Sequence, residues 1–109
     1  MIYEVEVSKQ ADSDLRGIFE YIAFELQSPE NAIGQLDRLE EQILSLDTMP
    51  ERYRKYEKEP WKSRGLRVLP VDNYVVLYIP DSDKKVVTIL RVMYAGRDID
   101  NQLNLHTKQ

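Results

Sequence analysis

The chain contains no cysteine. Disulfide frameworks and thiolate-built zinc sites are therefore excluded, and a reducing compartment is the simplest expectation. It has a single histidine, His106, near the end of the sequence, and shows no clustered metal-ligand pattern, so no metal and no cofactor is expected. The longest unbroken apolar run, "YVVLYI", is far too short to cross a bilayer. The first residues, "MIYEVEVSKQ", lack the basic and apolar regions of a signal peptide. A soluble, cytoplasmic protein with no membrane partner is the expectation.

What remains is an ordinary globular composition, 42% hydrophobic and 31% charged over 109 residues. That length suits one domain, 1–109, which buries roughly 65% of its unfolded surface. The net charge of −4 hides an asymmetry. Residues 1–51 carry three basic and twelve acidic side chains (3 − 12 = −9), and residues 52–109 carry twelve and seven (12 − 7 = +5). A split of this kind fits either an anionic partner for one surface or two differently charged solvated faces.

The hydrophobic pattern predicts an α+β order. Residues 2–7 alternate, with Tyr3, Val5 and Val7 on one face and Glu4 and Glu6 on the other, as in a half-buried strand. Ser8 then caps a helix over 9–27, whose stripe runs through Leu15, Ile18, Ile22 and Leu26. Ser28 and Pro29 start a second helix over 30–47, striped by Ala32, Leu36, Leu39, Ile43 and Leu46. The short break makes the two an antiparallel hairpin.

Residues 48–65, "TMPERYRKYEKEPWKSRG", follow neither period and read as an irregular loop. Arg52, Arg54, Lys55, Lys62 and Arg64 make it a candidate nucleic-acid or target-binding surface, and Trp61 suits either base stacking or closure of the core. Three strands follow, 66–71, 74–80 and 85–95, the first pair joined by a tight turn at Asp72-Asn73. They form an antiparallel meander covered on one side by the helical hairpin. Asp98 caps a short final helix, and residues 104–109 read as a frayed tail.

One charge stands out. Arg91 lies inside the apolar strand of "VVTILRVMYAGRD", and Tyr94, Gly96, Arg97 and Asp98 come just after it. A structural reading pairs Arg91 with Glu4 or Glu6 of the first strand, lets Arg97 and Asp98 fix the turn, and places Tyr74 and Tyr78 in the core. A functional reading groups Arg67, Arg91, Tyr94 and Arg97 as candidate catalytic residues on one basic surface.

The segments "DSDLRGIFEYIA", "SPENA", "LDTMPERY", "LRVLPVDNYVVLYIPD" and "VTILRVMYAGRDIDNQL" taken in order resemble the RelE/ParE superfamily of type II toxins, the plasmid stabilisation proteins. The resemblance spans roughly residues 2–103. It implies a RelE/ParE-like α+β fold, a cognate antitoxin that wraps and neutralises the toxin in a hetero-oligomer, and one of two targets. RelE-like members cut messenger RNA on the ribosome without metal, and ParE-like members inhibit DNA gyrase and are not enzymes. The nuclease pattern matches only in part. Val75 stands where RelE-like members often carry arginine, no carboxylate or imidazole base accompanies the four candidates, and Glu57 and Glu59 reach them only if the loop folds back. A toxin-like module that only binds its antitoxin is the third expectation.

Overall fold

The computed structural model of the chain describes residues 2–107. It is an α+β fold built on one four-stranded sheet of order β1-β4-β3-β2, with β1 Glu4–Val7, β2 Arg67–Val71, β3 Tyr74–Asp81 and β4 Val86–Tyr94. β2, β3 and β4 form the expected antiparallel meander. β1 lies parallel to β4, Glu4 beside Val86 and Val7 beside Ile89, and forms one edge of the sheet.

Between β1 and β2 the chain makes the helical hairpin, α1 Lys9–Glu20 and α2 Pro29–Leu44. Ser8 caps α1, its Oγ accepting from the Ala11 N–H at 3.0 Å and donating to the Leu90 carbonyl at 2.9 Å. One hydroxyl thus starts the helix and fixes it to β4. The predicted first helix is interrupted near its end, where Tyr21–Glu25 widen into a π-helical turn and Gln27 closes the segment at φ +51°. The second helix ends in a 3₁₀ turn, Ser45–Asp47. Ser28 precedes α2 as expected, but its side chain makes no capping bond.

The principal core lies between the hairpin and one face of the sheet. Leu39, Ile43 and Leu46 pack there on Val76, Tyr78, Val87, Ile89 and Val92. The hairpin covers one side of the sheet, as expected, and the other side is covered too. The other face, Val68, Val75, Leu77, Leu90 and Met93, is filled by Trp61, Leu66 and Leu103. Strands apolar on both faces cannot leave one of them wet without a large exposed patch. The covering elements are the 48–65 segment and α3, Ile99–His106, which Asp98 caps by accepting from the Asn101 N–H.

Residues 48–65 are accordingly more ordered than an irregular loop. The backbone of Arg54–Tyr56 runs along β2, with bonds from Val68 N to Arg54 O and from Tyr56 N to Leu66 O. Trp61 is 3% exposed and donates to Asn104, and Tyr56 donates to Asp100. Within the stretch expected as a tail, 104–109, α3 runs on to His106 and Thr107 makes a side-chain bond. Residues 108 and 109 lie outside the described residues.

β4 carries a bulge. Leu77 sits opposite Arg91 and Tyr78 opposite Ile89, so Leu90 is the extra residue. A bulge breaks the two-residue alternation and re-aims a side chain. Ile89 and Val92, three apart, therefore share the principal core. Arg91 is turned to the sheet edge beyond the end of β1. Its Nε and Nη2 donate to the two carboxylate oxygens of Asp14 at 2.7 and 2.9 Å, and its Nη1 donates to the His106 carbonyl and Thr107 Oγ1. Asp14 also accepts from the Val92 N–H at 3.0 Å. The predicted structural pairing thus exists with a different partner, on α1 rather than β1. Glu4 and Glu6 are exposed on the edge strand and never approach it.

Removing one partner of a buried bidentate pair leaves the other charge desolvated and unpaired. Asp14→Ala and Arg91→Ala are each expected to cost about 3–5 kcal/mol in urea denaturation. The double variant should cost less than their sum, because each single change already strands its partner.

Candidate functional site

The four predicted catalytic residues do not converge. Arg67 opens β2, and its Nη1 donates to the carbonyls of Glu51 and Tyr53 at 2.9 and 2.7 Å, tying the 48–65 segment to the sheet. Arg91 is 7% exposed and committed to Asp14 and the end of α3. Both guanidinium groups act as internal ties. Tyr94 and Arg97 are exposed and do come together, at the end of the sheet that carries the β2–β3 turn.

A cavity of about 1010 Å³ opens at that end, between α1, the start of α2 and the strand ends. Three tyrosines line it, Tyr21 from the π-helical turn, Tyr74 from β3 and Tyr94 from β4. Tyr74 and Tyr94 face each other across the β3–β4 pair, rings edge to face with centroids 6.0 Å apart. Arg97 and Asn73 complete the polar part of the wall. Asp72 takes the left-handed φ of +54° that a tight two-residue turn requires at its first position. Its carboxylate accepts from Arg38 Nε at 2.7 Å and Gln35 Nε2 at 3.0 Å, fixing α2 to the turn. Those two bonds hold Asp72 below the usual carboxylate range.

Gly96 has a specific role here. A Cβ at this position would stand 2.6 Å from Cε2 of Tyr94, closer than side-chain carbons approach one another. The missing side chain lets the Tyr94 ring lie against the turn that leaves β4. Burial, and then the neighbouring phenols of Tyr21 and Tyr94, raise Tyr74 above its ordinary value, so at neutral pH it is a hydrogen-bond donor and not a base.

The basic segment divides in the same way. Arg52 closes the C-terminal end of α2 through carbonyls of Ser45, Thr48 and Met49, as a cation at a helix C-terminus should. Arg64 lies over the Trp61 ring at 4.9 Å. Arg54, Lys55 and Lys62 have exposed side chains. Trp61 itself is core and unavailable for stacking. Among the described residues no group of histidines, cysteines and carboxylates is arranged to hold a metal ion, and no helix is long and apolar enough to cross a membrane. The Tyr21–Tyr74 part of the site was missed by sequence reasoning. Tyr21 sits in the helical stripe region and Tyr74 in a strand, and only the closeness of α1 to the β4 end unites them.

Residues 5–99 match the family described as ParE toxin of type II toxin-antitoxin system, parDE, and the chain belongs to that family. No curated relative matches it. Several solved structures share its fold. A chain of the chromosomal ParDE toxin–antitoxin system of P. aeruginosa aligns with TM-score 0.71 at 20% identity, over 85% of this chain and 96% of that one. The RelBE2 toxin–antitoxin complex of Mycobacterium tuberculosis aligns with TM-score 0.64 at 23% identity, over 86% and 92%. A free mutant of the E. coli toxin RelE aligns with TM-score 0.64 at 15% identity, over 91% and 90%.

Two phenols outside this cavity report on the covering segment. Tyr78 is fully buried and donates to the Pro50 carbonyl at 2.6 Å, and burial pushes it up to about 12. Burial and the bond to Asp100 push Tyr56 up to about 12 as well. Both groups hold their protons more tightly folded than unfolded. Their contribution is therefore complete below about pH 10, the unfolded value, and is lost as pH rises from there toward 12. Denaturation followed at pH 9, 10.5 and 11.5 should show falling stability, and Tyr56→Phe with Tyr78→Phe should flatten that fall.

Proposed function

We propose that this one-domain protein is a cytoplasmic toxin that acts by binding its target and not by cutting RNA. The target class is DNA gyrase, and a cognate antitoxin neutralises the toxin in a hetero-oligomer. The observation that carries this reading is the fate of the catalytic candidates. Arg67 and Arg91 spend their hydrogen bonds inside the fold. The sheet face away from the hairpin, where a nuclease would gather its cations, is a second hydrophobic core. The carboxylate that lines the cavity with Tyr94 and Arg97 is Asp14, which is ion-paired to Arg91, and Asp98, next to Arg97, is engaged as the cap of α3. Metal-free RNA cleavage needs a base for the 2′-hydroxyl and an acid for the leaving oxygen. Neither is supplied beside Tyr94.

The antitoxin partner is supported by the family and by neighbours whose structures are toxin–antitoxin systems. The surface suited to it is the groove of about 1150 Å³ between the two helices of the hairpin, beside Val7 of β1. Phe19, Phe24, Leu36 and Leu44 give it an apolar floor, and Glu20 and Glu40 an acidic rim, while Asp12 is ion-paired to Arg16 of the same wall. An amphipathic helix with apolar anchors and basic flanks fits such a groove. A second reading, a ribosome-dependent endoribonuclease, is favoured by the exposed cations Arg54, Lys55 and Lys62, which suit an anionic surface.

The test adds purified toxin to a gyrase supercoiling reaction and to a translating ribosome system. Supercoiling should be inhibited and translation spared. Tyr94→Ala and Arg97→Ala should abolish growth arrest with an unchanged thermal melt. Cleaved messenger RNA with intact supercoiling would establish the endoribonuclease instead. A chain that captures its antitoxin but affects neither reaction would be a module that only binds.

A further inference from the structure

We propose that the cavity at the β2–β3 turn end of the sheet binds a nucleotide, its base against the Tyr94 ring and its phosphate on Arg97. The proposal rests on taking this end of the sheet as the working surface, and not on which enzyme is the target.

The aromatic wall is the first argument. Tyr94 is a large side chain left 53% exposed, and Tyr21 is 54% exposed, although the core has no lack of apolar residues. Half-exposed rings facing a cavity offer stacking area that any base accepts. The Tyr94 ring is also fixed. Tyr74 holds one side edge to face, and Gly96 leaves room that any other residue would fill. A ring already held in place loses little freedom when a base stacks on it.

The charge balance is the second argument. Arg16, Arg38 and Arg91 are each paired with an aspartate, and Arg52 and Arg67 are spent on carbonyls. Arg97 lines the cavity with no partner among the described residues. The one carboxylate of the cavity wall, Asp14, is already neutralised by Arg91, and Asp98, next in the chain to Arg97, accepts from the Asn101 N–H at the start of α3. Arg97 is therefore a guanidinium in no ion pair among the described residues, suited to bidentate contact with phosphate. Asn73 lines the same cavity, and its side chain has both donor and acceptor for a base edge.

The third argument separates a nucleotide from a peptide. An extended peptide would enter here by pairing with the open edge of β4 beyond β1. The Val92 N–H on that edge is already taken by Asp14. Strand addition is blocked where the aromatic wall stands, and a flat ring with an anion is what the remaining surface fits.

A base with its phosphate comes from two sources, a free mononucleotide or an unpaired stretch of nucleic acid. The experiment titrates the purified full chain by NMR with deoxyadenosine monophosphate, a single-stranded hexadeoxyadenylate, its duplex and inorganic phosphate. Saturable shifts should appear at the rings of Tyr21, Tyr74 and Tyr94. Binding about tenfold tighter to the single strand than to the mononucleotide would identify nucleic acid as the source, and equal affinity the free nucleotide. Arg97→Gln, Tyr94→Leu and Gly96→Ala should each weaken binding about tenfold, Arg97→Gln without altering the amide spectrum elsewhere. Should Tyr94→Leu or Gly96→Ala fail to fold, the exposed Arg97 decides alone. Inorganic phosphate binding as tightly as the mononucleotide, shifts confined to Arg54, Lys55 and Lys62, or no saturation at millimolar ligand would each overturn the proposal. Gyrase inhibition without nucleotide binding would overturn it and leave the proposed function standing.

Discussion

The Arg91–Asp14 contact is the constraint on which the remaining architecture depends. It sits where β1 has ended and β4 would otherwise present an open edge. Asp14 satisfies the Val92 N–H there, and both its oxygens accept from Arg91. Arg91 reaches in the other direction to the last carbonyl of α3, where a cation also suits the helix dipole. One side chain therefore joins the hairpin layer, the sheet edge and the helix that covers the second face. The bulge at Leu90 makes this possible, because regular alternation would have aimed position 91 into an apolar layer.

Much of this was legible in the sequence. Periodicity gave both helices, the meander, the tight Asp72-Asn73 turn and the Asp98 cap, because each is specified by neighbours in the chain. The partner of Arg91 was not legible. Glu4 and Glu6 looked suitable as the acids of the alternating first strand, and β1 does lie beside β4. The bulge lies beyond the stretch that β1 covers, and nothing in "TILRVMY" marks the extra residue. The second core was visible as strands apolar on both faces, but what covered it was hidden. Trp61 carries no periodic signal in a segment interrupted by Pro50, Pro60 and Gly65, and Leu103 lies in a final helix too short to show which face it buries.

The arginines illustrate why charge alone misleads about function. The +5 of the second half suggested one basic surface. Arg52, Arg64, Arg67 and Arg91 are instead distributed as helix cap, ring cover, segment tie and edge clamp. Arg97 remained as a candidate because it follows the last strand, outside any element that needs it. The tyrosine site shows the converse. Tyr94 was identified from its place at a strand end, whereas Tyr74 joins it through the β3–β4 register and Tyr21 only through the packing of the first helix against the sheet.

The parallel pairing of β1 with β4 has a consequence for how the chain is made. Glu4 is matched with Val86, and Asp14 with Arg91 across 77 residues. Contacts of such sequence separation close a long loop before they return any stability, which slows folding. During synthesis at about 5–20 residues per second, β1 and α1 emerge several seconds before β4 exists to receive them. Through that interval the apolar stripes of the hairpin have no sheet to cover. The apolar face of the hairpin thus stays open to other surfaces until the last strand has been made.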